Sequence, residues 1–84
     1  MTDDQLAALN QWLRQCRGVC FVARDETTLW EAAYRAAGVD CTLSAFQWHC
    51  RRIGLSPEAH GGGVRLDFNG APALLEAADH LHSG

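Results

Sequence analysis

Hydrophobic residues at the start of the chain recur every three or four positions, which is the spacing of one face of a helix. Thr2 and Gln5 stand three residues apart in the form of a capping box, which satisfies free amide groups where a helix begins. Gly18 interrupts the pattern. We therefore predict a first helix over about residues 3–17. Its apolar face consists of Leu6, Leu9, Leu13 and Cys16.

The segment after Gly18 is too short for a helix and rich in residues that favour strands. Residues 19–23 read Val-Cys-Phe-Val-Ala and stand between Gly18 and the charged residues 24–26. Compact runs of this composition are typical of a buried or half-buried strand. We predict one strand here.

A second helix is indicated by an alanine-rich segment over residues 29–37. Thr28 and Glu31 form another capping box at its start. Gly38 stands just after the segment, where a glycine suits the left-handed conformation that ends many helices.

A third helix follows after only a few residues. Ser44 and Gln47 form a further capping box, and we predict a helix over about residues 45–53. Two short helices joined by a glycine-bearing turn form a helix-turn-helix arrangement, although a generic pair of packed helices has the same pattern. The inward residues of the third helix are Phe46, Cys50 and Ile53.

The last part of the chain predicts a hairpin and a fourth helix. Residues 55–68 contain a glycine cluster at 61–63, and residues 64–68 then alternate apolar with polar side chains, as a strand does. Pro72 suits the first turn of a helix, which we predict over residues 73–81.

The order helix, strand, helix, helix and glycine-tipped hairpin resembles the winged helix-turn-helix domains, and is similar to small phage and plasmid regulators and to the winged-helix tails of phage primase-helicases. The resemblance implies an α+β fold, mainly α, in a single domain over residues 1–84. Its winged core would occupy residues 1–68, with an added C-terminal helix in residues 69–84. It also implies sequence-specific binding of duplex DNA, as in a transcriptional repressor of a mobile element. The segments that carry it are residues 28–38, 43–55 and 60–68.

Composition supports one small folded domain. Of the 84 residues, 48% are hydrophobic and 20% are charged, which favours a packed core over disorder. A chain of this length buries only about 60 to 65% of its unfolded surface, so we expect a homodimer to add stability. No apolar run approaches the roughly 20 residues of a membrane span, and the first residues are acidic and polar where a signal peptide is basic and then apolar. We expect a cytoplasmic protein.

Charge is unevenly distributed along the chain. The formal net charge is -3, whereas a strongly basic domain would have indicated nucleic acid directly. Between residues 44 and 66, however, Arg51, Arg52 and Arg65 stand against Glu58 alone, which gives this segment a charge of +2. The positive charge therefore coincides with the third helix and the hairpin. We favour nucleic-acid contact for these arginines over the alternative of a merely solvated surface.

The outer face of the third helix has side chains suited to a major groove. Gln makes bidentate contacts with adenine, Arg makes them with guanine, and Ser bonds either a base or a phosphate. Arg52 beside this face suits a phosphate, as does the hydroxyl of Thr42 near the helix N-terminus. In the hairpin, His60 and Arg65 flank the glycines and suit the sugar-phosphate backbone. The predicted DNA contacts are Thr42, Ser44, Gln47, Trp48, Arg51, Arg52, His60 and Arg65.

The homodimer is expected to form through the first and fourth helices, because a winged core closes without the fourth. Two-fold symmetry would then match a palindromic DNA site. The predicted contacts are Leu9, Trp12, Leu74, Leu75 and Leu81.

The four cysteines, Cys16, Cys20, Cys41 and Cys50, are interpreted as reduced structural thiols, and we predict no metal and no cofactor. A zinc site built from all four remains an alternative, although their spacing lacks the paired two-residue knuckles of such sites.

No sequence motif of an enzyme is present, and we predict a non-enzymatic protein. The rival to DNA binding is a protein-binding inhibitor or adaptor that uses the same fold. An exposed Trp48 and the acidic net charge would favour that alternative.

Overall fold

The first helix begins where the sequence predicts, because a capping box forms at its N-terminus. In the computed structural model, the Thr2 hydroxyl accepts a hydrogen bond from the Gln5 amide (3.2 Å), and the Gln5 side chain accepts one from the Thr2 amide (2.8 Å). The helix ends at Gln15, two residues earlier than expected, since Cys16 adopts an extended conformation. Only the C-terminal boundary of this element was wrong.

The structure describes residues 1–23 and 26–83, with side chains for all of these except residues 23, 26 and 80–83. The helices are α1 (Asp3–Gln15), α2 (Glu26–Ala37), α3 (Leu43–Arg52) and α4 (Ala71–Ser83), and a short 3-10 helix (Phe68–Gly70) precedes α4. The strands are β1 (Val19–Ala23), β2 (Glu58–His60) and β3 (Gly63–Asp67). The fold is therefore α+β and mainly helical, as expected.

The three strands form one antiparallel sheet in the order β1-β3-β2. Phe21 in β1 lies opposite Arg65 in β3, which in turn lies opposite Glu58 in β2. Val64 and Leu66 point into the core, and the remaining β3 side chains point outward, so the alternation predicted for this strand is confirmed.

The hairpin between β2 and β3 turns through Gly61 and Gly62, whose φ angles are +53° and +85°. Two consecutive positive φ angles characterise the tight turn that matches the twist of a hairpin, and glycine adopts them without a steric penalty. The glycine-rich hairpin tip predicted from the sequence is confirmed.

Two of the predicted helix starts were wrong. Helix α2 begins at Glu26, so Thr28 lies inside it and does not form the predicted capping box. Helix α3 begins at Leu43, where the hydroxyl of Thr42 accepts a hydrogen bond from the Ala45 amide (3.1 Å). Thr42 therefore replaces the predicted cap, Ser44, which lies in the first turn. Beginning the helix at Leu43 brings this side chain against the core one turn before Phe46.

Helix α4 belongs to the core of the single chain. It packs against α1, and Arg14 of α1 forms an exposed ion pair with Asp79 of α4 (3.3 Å). Leu75 of α4 and Leu9 of α1 have exposed fractions of 2% and 0%. Each already packs within its own chain, so neither side chain is accessible for the dimer contact predicted for it.

The other predicted dimer contacts fall into two groups. Trp12 and Leu74 are partly buried against the core, which leaves each only a small accessible part. The side chain of Leu81 lies outside the described residues. The α1-α4 surface is thus mainly an intramolecular contact.

Gly54 joins α3 to the chain leading into β2 and adopts a φ angle of +98°. A Cβ atom added there would lie 3.2 Å from Cδ2 of Leu74 in α4. Both the backbone conformation and the close approach of α4 therefore require glycine at this position.

We predict that Gly54→Ala lowers the free energy of unfolding by about 1 to 3 kcal/mol, because alanine combines backbone strain with contact against Leu74. Urea unfolding followed by circular dichroism measures the change. Gly70→Ala is the matched control, since Gly70 has an ordinary φ angle and open space around its added Cβ atom. Its stability should change by less than about 1 kcal/mol. Equal losses in the two variants would contradict this account of Gly54.

Candidate nucleic-acid interface

Helix α3 has one buried and one exposed face. Phe46, Cys50 and Ile53 pack in the core, as predicted from their spacing. On the other side Ser44 is exposed and Gln47 is half-buried. Arg51, Arg52 and Trp48 complete the exposed face, and we call Ser44, Gln47, Trp48, Arg51 and Arg52 the α3 face.

Trp48 is the most prominent side chain of the α3 face, with an exposed fraction of 63%. The guanidinium of Arg52 lies over its ring, 5.1 Å from the ring centroid. A cation-π contact of this kind contributes about 0.5 to 1 kcal/mol at an exposed site. The contact joins an aromatic surface and a positive charge into one feature.

Arg51 is positioned by a different ring. Its guanidinium carbon lies 5.9 Å from the ring centroid of Trp30, which is completely buried in α2. Because Trp30 is held by the core, the contact ties Arg51 to the interior packing. This contact therefore holds the α3 face in a defined position relative to α2.

The N-terminus of α3 lies beside this face. No acidic residue occurs in its first turn, so no carboxylate of α3 neutralises the positive end of the helix dipole there. The Thr42 hydroxyl accepts the capping hydrogen bond but keeps a proton to donate. Thr42 is thus placed where a phosphate contact was predicted.

The hairpin offers less positive charge than its sequence suggests. Arg65 donates to Glu58 on β2 and to Asp67 on its own strand, at 3.2 Å in each case. The two carboxylates balance its charge within the sheet. His60 lies beside Phe21, with 5.4 Å between the ring centroids. Both predicted hairpin contacts therefore already have partners within the chain.

Phe21 was missed as a surface feature. Its exposed fraction is 63%, equal to that of Trp48. The signal was available in the sequence, because alternation along β1 places Phe21 on the face opposite Cys20 and Val22. A strand pattern alone does not show which of the two faces of the strand is covered.

His49 was also missed, and it is the one buried polar residue of the described core. It is 6% exposed, and its Nε2 atom lies 2.7 Å from Oδ1 of Asn10 in α1. Its Nδ1 atom is buried without a hydrogen-bond partner. Burial, and then the charge of Arg52, lower the pKa of His49 below its usual value of 6.5. It also borders a cleft of about 470 Å³ between α1, α3 and α4.

Among the described residues, no group of three or more His, Cys, Asp or Glu side chains is arranged to hold a metal ion. The alternative zinc site is therefore not formed in this part of the chain. Burial, and then the neighbouring Cys20, raise the pKa of Cys16. Burial, and then the neighbouring Cys41, raise the pKa of Cys50 to about 12, so this thiol is neutral near physiological pH.

Comparisons with protein-family models, with curated proteins and with solved structures found no match for this chain. The helices of the described residues include none that is both long and apolar enough to cross a membrane. The candidate site consequently depends on the geometry of α3 and its neighbours alone.

We predict that the stability of the protein decreases in mild acid because of His49. The unfolded state binds a proton at about pH 6.5, whereas the folded state resists protonation to a lower pH. The contribution of neutral His49 to the free energy of unfolding is therefore fully present above about pH 6.5, and it is lost as the pH decreases toward the native pKa. Urea unfolding between pH 7.5 and pH 5 measures this slope.

The variant His49→Leu should flatten this pH dependence, whatever its stability at neutral pH. Titration of the His49 ring by NMR provides an independent reading and should give a pKa below 6.5. A native pKa at or above that value would contradict the burial argument.

Proposed function

We propose that the protein binds duplex DNA through α3, as a winged helix-turn-helix domain. The single observation that carries the proposal is the α3 face, where Trp48, Arg51 and Arg52 stand on the side opposite the buried Phe46 and Cys50. The element order and the β1-β3-β2 sheet support this interpretation, because a winged helix combines the same elements. The hairpin of β2 and β3 takes the place of the wing.

The dimensions of α3 suit a major groove. With its side chains a helix is about 10 to 12 Å in diameter, and the major groove of B-DNA is about 12 Å wide, so the ten residues of α3 can lie within it. Ser44, Gln47 and Arg51 would reach base edges, where Gln and Arg make bidentate contacts. Arg52 and the N-terminus of α3 near Thr42 would contact phosphates and fix the position of the helix.

The wing would have a smaller part than the sequence suggested. Arg65 would have to exchange Glu58 and Asp67 for a phosphate, which reduces the net gain from that contact. His60 and the turn glycines would contact the sugar-phosphate backbone of the DNA mainly by fitting its shape. We therefore expect few phosphate contacts and moderate affinity per chain.

A small protein with this mode of binding would act as a transcriptional repressor by occupying its site and blocking other proteins. Selection from a random pool of duplexes, with bound sequences recovered and read, identifies such a site. A shared motif supports specific recognition, whereas recovery of unrelated sequences contradicts it.

The double variant Arg51→Ala/Arg52→Ala should weaken binding to the selected duplex by about 30-fold or more, since one bidentate Arg contact alone contributes about 1 to 3 kcal/mol. The slope of log affinity against log salt should also decrease by about one to two units. Fluorescence anisotropy at several salt concentrations measures both quantities.

The matched control is Arg14→Ala/Arg17→Ala, which removes the same charge from exposed side chains at and just after the C-terminal end of α1, outside the α3 face. It should change affinity by less than about threefold, through long-range charge alone. Equal effects of the two double variants would overturn the proposed reading surface. Circular dichroism shows that each variant is folded.

A protein-binding module is the second candidate, favoured by the exposure of Trp48 and by the carboxylates that balance Arg65. Exposed aromatic residues of this kind are common hot spots of protein interfaces. Two results together would replace the DNA proposal with this one. The chain would retard no duplex at low salt, and it would bind a protein partner whose binding is lost in the variant Trp48→Ala.

A further inference from the structure

Strand β1 lies at an edge of the sheet and has no charged residue along its length. In the described residues it pairs with β3 on one side, and no strand pairs with its other side. Soluble proteins usually protect such an edge with charges, proline, a bulge or a short length. The opposite edge strand, β2, follows this rule, since it has three residues and includes Glu58. Strand β1 has five residues, Val-Cys-Phe-Val-Ala, and none of these protections.

Both faces of β1 are accessible. On the outer face of the sheet, Val19 and Phe21 are two of the large hydrophobic side chains that the chain exposes. On the inner face, Cys20 is exposed and Val22 is partly buried. These two residues border an apolar groove of about 280 Å³ between β1, α1 and α2. A strand added at this edge would therefore cover apolar surface on both sides.

We propose that a second copy of this chain pairs with β1 in antiparallel orientation, about a two-fold axis at Phe21, and joins the two sheets into one of six strands. In this register Phe21 lies opposite the partner's Phe21, and Cys20 lies opposite the partner's Val22. On the outer face of the joined sheet the two Phe21 side chains then lie side by side. On the inner face the small apolar side chains of the two chains lie side by side. Each edge supplies the backbone donors and acceptors that the other lacks.

The properties of the strand select a copy of the chain over another partner. Residues equally distant from Phe21 on its two sides are apolar, so reversing the strand opposes apolar residues throughout and brings no like charges together. A two-fold pairing also closes, which leaves no further β1 edge for growth into fibres.

The area involved indicates a reversible dimer. The strand is about 17 Å long. Perpendicular to the strand, the interface would extend on the order of 20 Å across the sheet and α2. This depth is close to the shortest extent of the molecule, which is 19 Å. The resulting area of roughly 340 Å² per chain is less than half of the about 800 Å² in a standard interface. We expect the dimer to form between about 10 µM and 1 mM.

This interface replaces the α1-α4 surface as the site of the expected homodimer. It does not depend on the proposed DNA binding, because no residue of the α3 face takes part. A monomer could still bind DNA, and a dimer could form in a chain that binds none.

Sedimentation equilibrium of the full chain over this concentration range tests the proposal, with reducing agent present to exclude disulfide-linked species. The wild type should show a monomer-dimer equilibrium. Phe21→Lys should remain monomeric, because it would bring two ammonium groups together at the two-fold axis. Ala59→Lys is the matched control, since it places the same charge at an exposed position of the other edge strand. It should dimerise like the wild type.

Cross-linking tests the register. The variant Val22→Cys should form disulfide-linked dimers under mild oxidation, joining Cys20 to position 22 of the partner. Ala59→Cys, which adds an exposed thiol on β2, should not accelerate dimer formation. Peptide mapping identifies the bond. A wild type that stays monomeric to about 1 mM would overturn the proposal. So would a dimer that Phe21→Lys leaves intact, or Val22→Cys dimers joined through other cysteines.

Discussion

The packing of Phe46 against three aromatic residues determines which face of α3 is exposed. Trp30 and Tyr34 of α2 meet its ring edge-on, at centroid distances of 5.7 and 5.8 Å. Trp12 of α1 lies 6.4 Å away. Aromatic pairs at these distances prefer tilted or edge-to-face contacts, which restrict the rotation of each ring. Because Phe46 is completely buried in this cluster, rotating α3 about its axis would expose it and bring Trp48 inward.

The same cluster connects the core to the α3 face. Trp30 contacts Phe46 with its ring and also lies beneath Arg51. The hydroxyl of Tyr34 donates to the backbone carbonyl of Cys41, which ties α2 to the turn before α3. The two helices and their turn consequently behave as one packed unit. Under the proposed function, side chains that read base edges would benefit from such support, since loose positioning weakens bidentate hydrogen bonds.

Local sequence patterns predicted elements better than their boundaries, and they predicted contacts least well. The capping box at Thr2 was correct because helix start and apolar stripe agree there. At Ser44 the correct stripe was combined with the wrong cap, since Thr42 is equally able to cap and packing of Leu43 decides between them. The exposure of Trp48 followed from helical period alone, once Phe46 and Cys50 were assigned to the core.

The side chains whose partners the sequence did not reveal depend on strand register or on distant parts of the chain. The ion pair of Arg65 with Glu58 depends on strand register, and His49 depends on Asn10, which is 39 residues away. Leu9 and Leu75 were assigned to an interface because the sequence cannot show that α4 returns to pack on α1. The sequence marked these side chains as apolar or charged, but only the tertiary arrangement determined their partners.

The arrangement of charge determines how this acidic chain would meet DNA under the proposed function. Asp3 and Asp4 lie at the start of α1, and Glu76 and Asp79 lie on α4. These carboxylates would be repelled by phosphates, whereas Arg51 and Arg52 on α3 would be attracted. The two signs are not fully separated, however, because Arg52 and Asp79 border the same cleft between α1, α3 and α4, so a phosphate that approaches Arg52 would also approach this carboxylate. Under the proposed function the net charge of -3 and these nearby carboxylates would limit affinity, so binding would depend on the direct contacts of the α3 face rather than on long-range attraction.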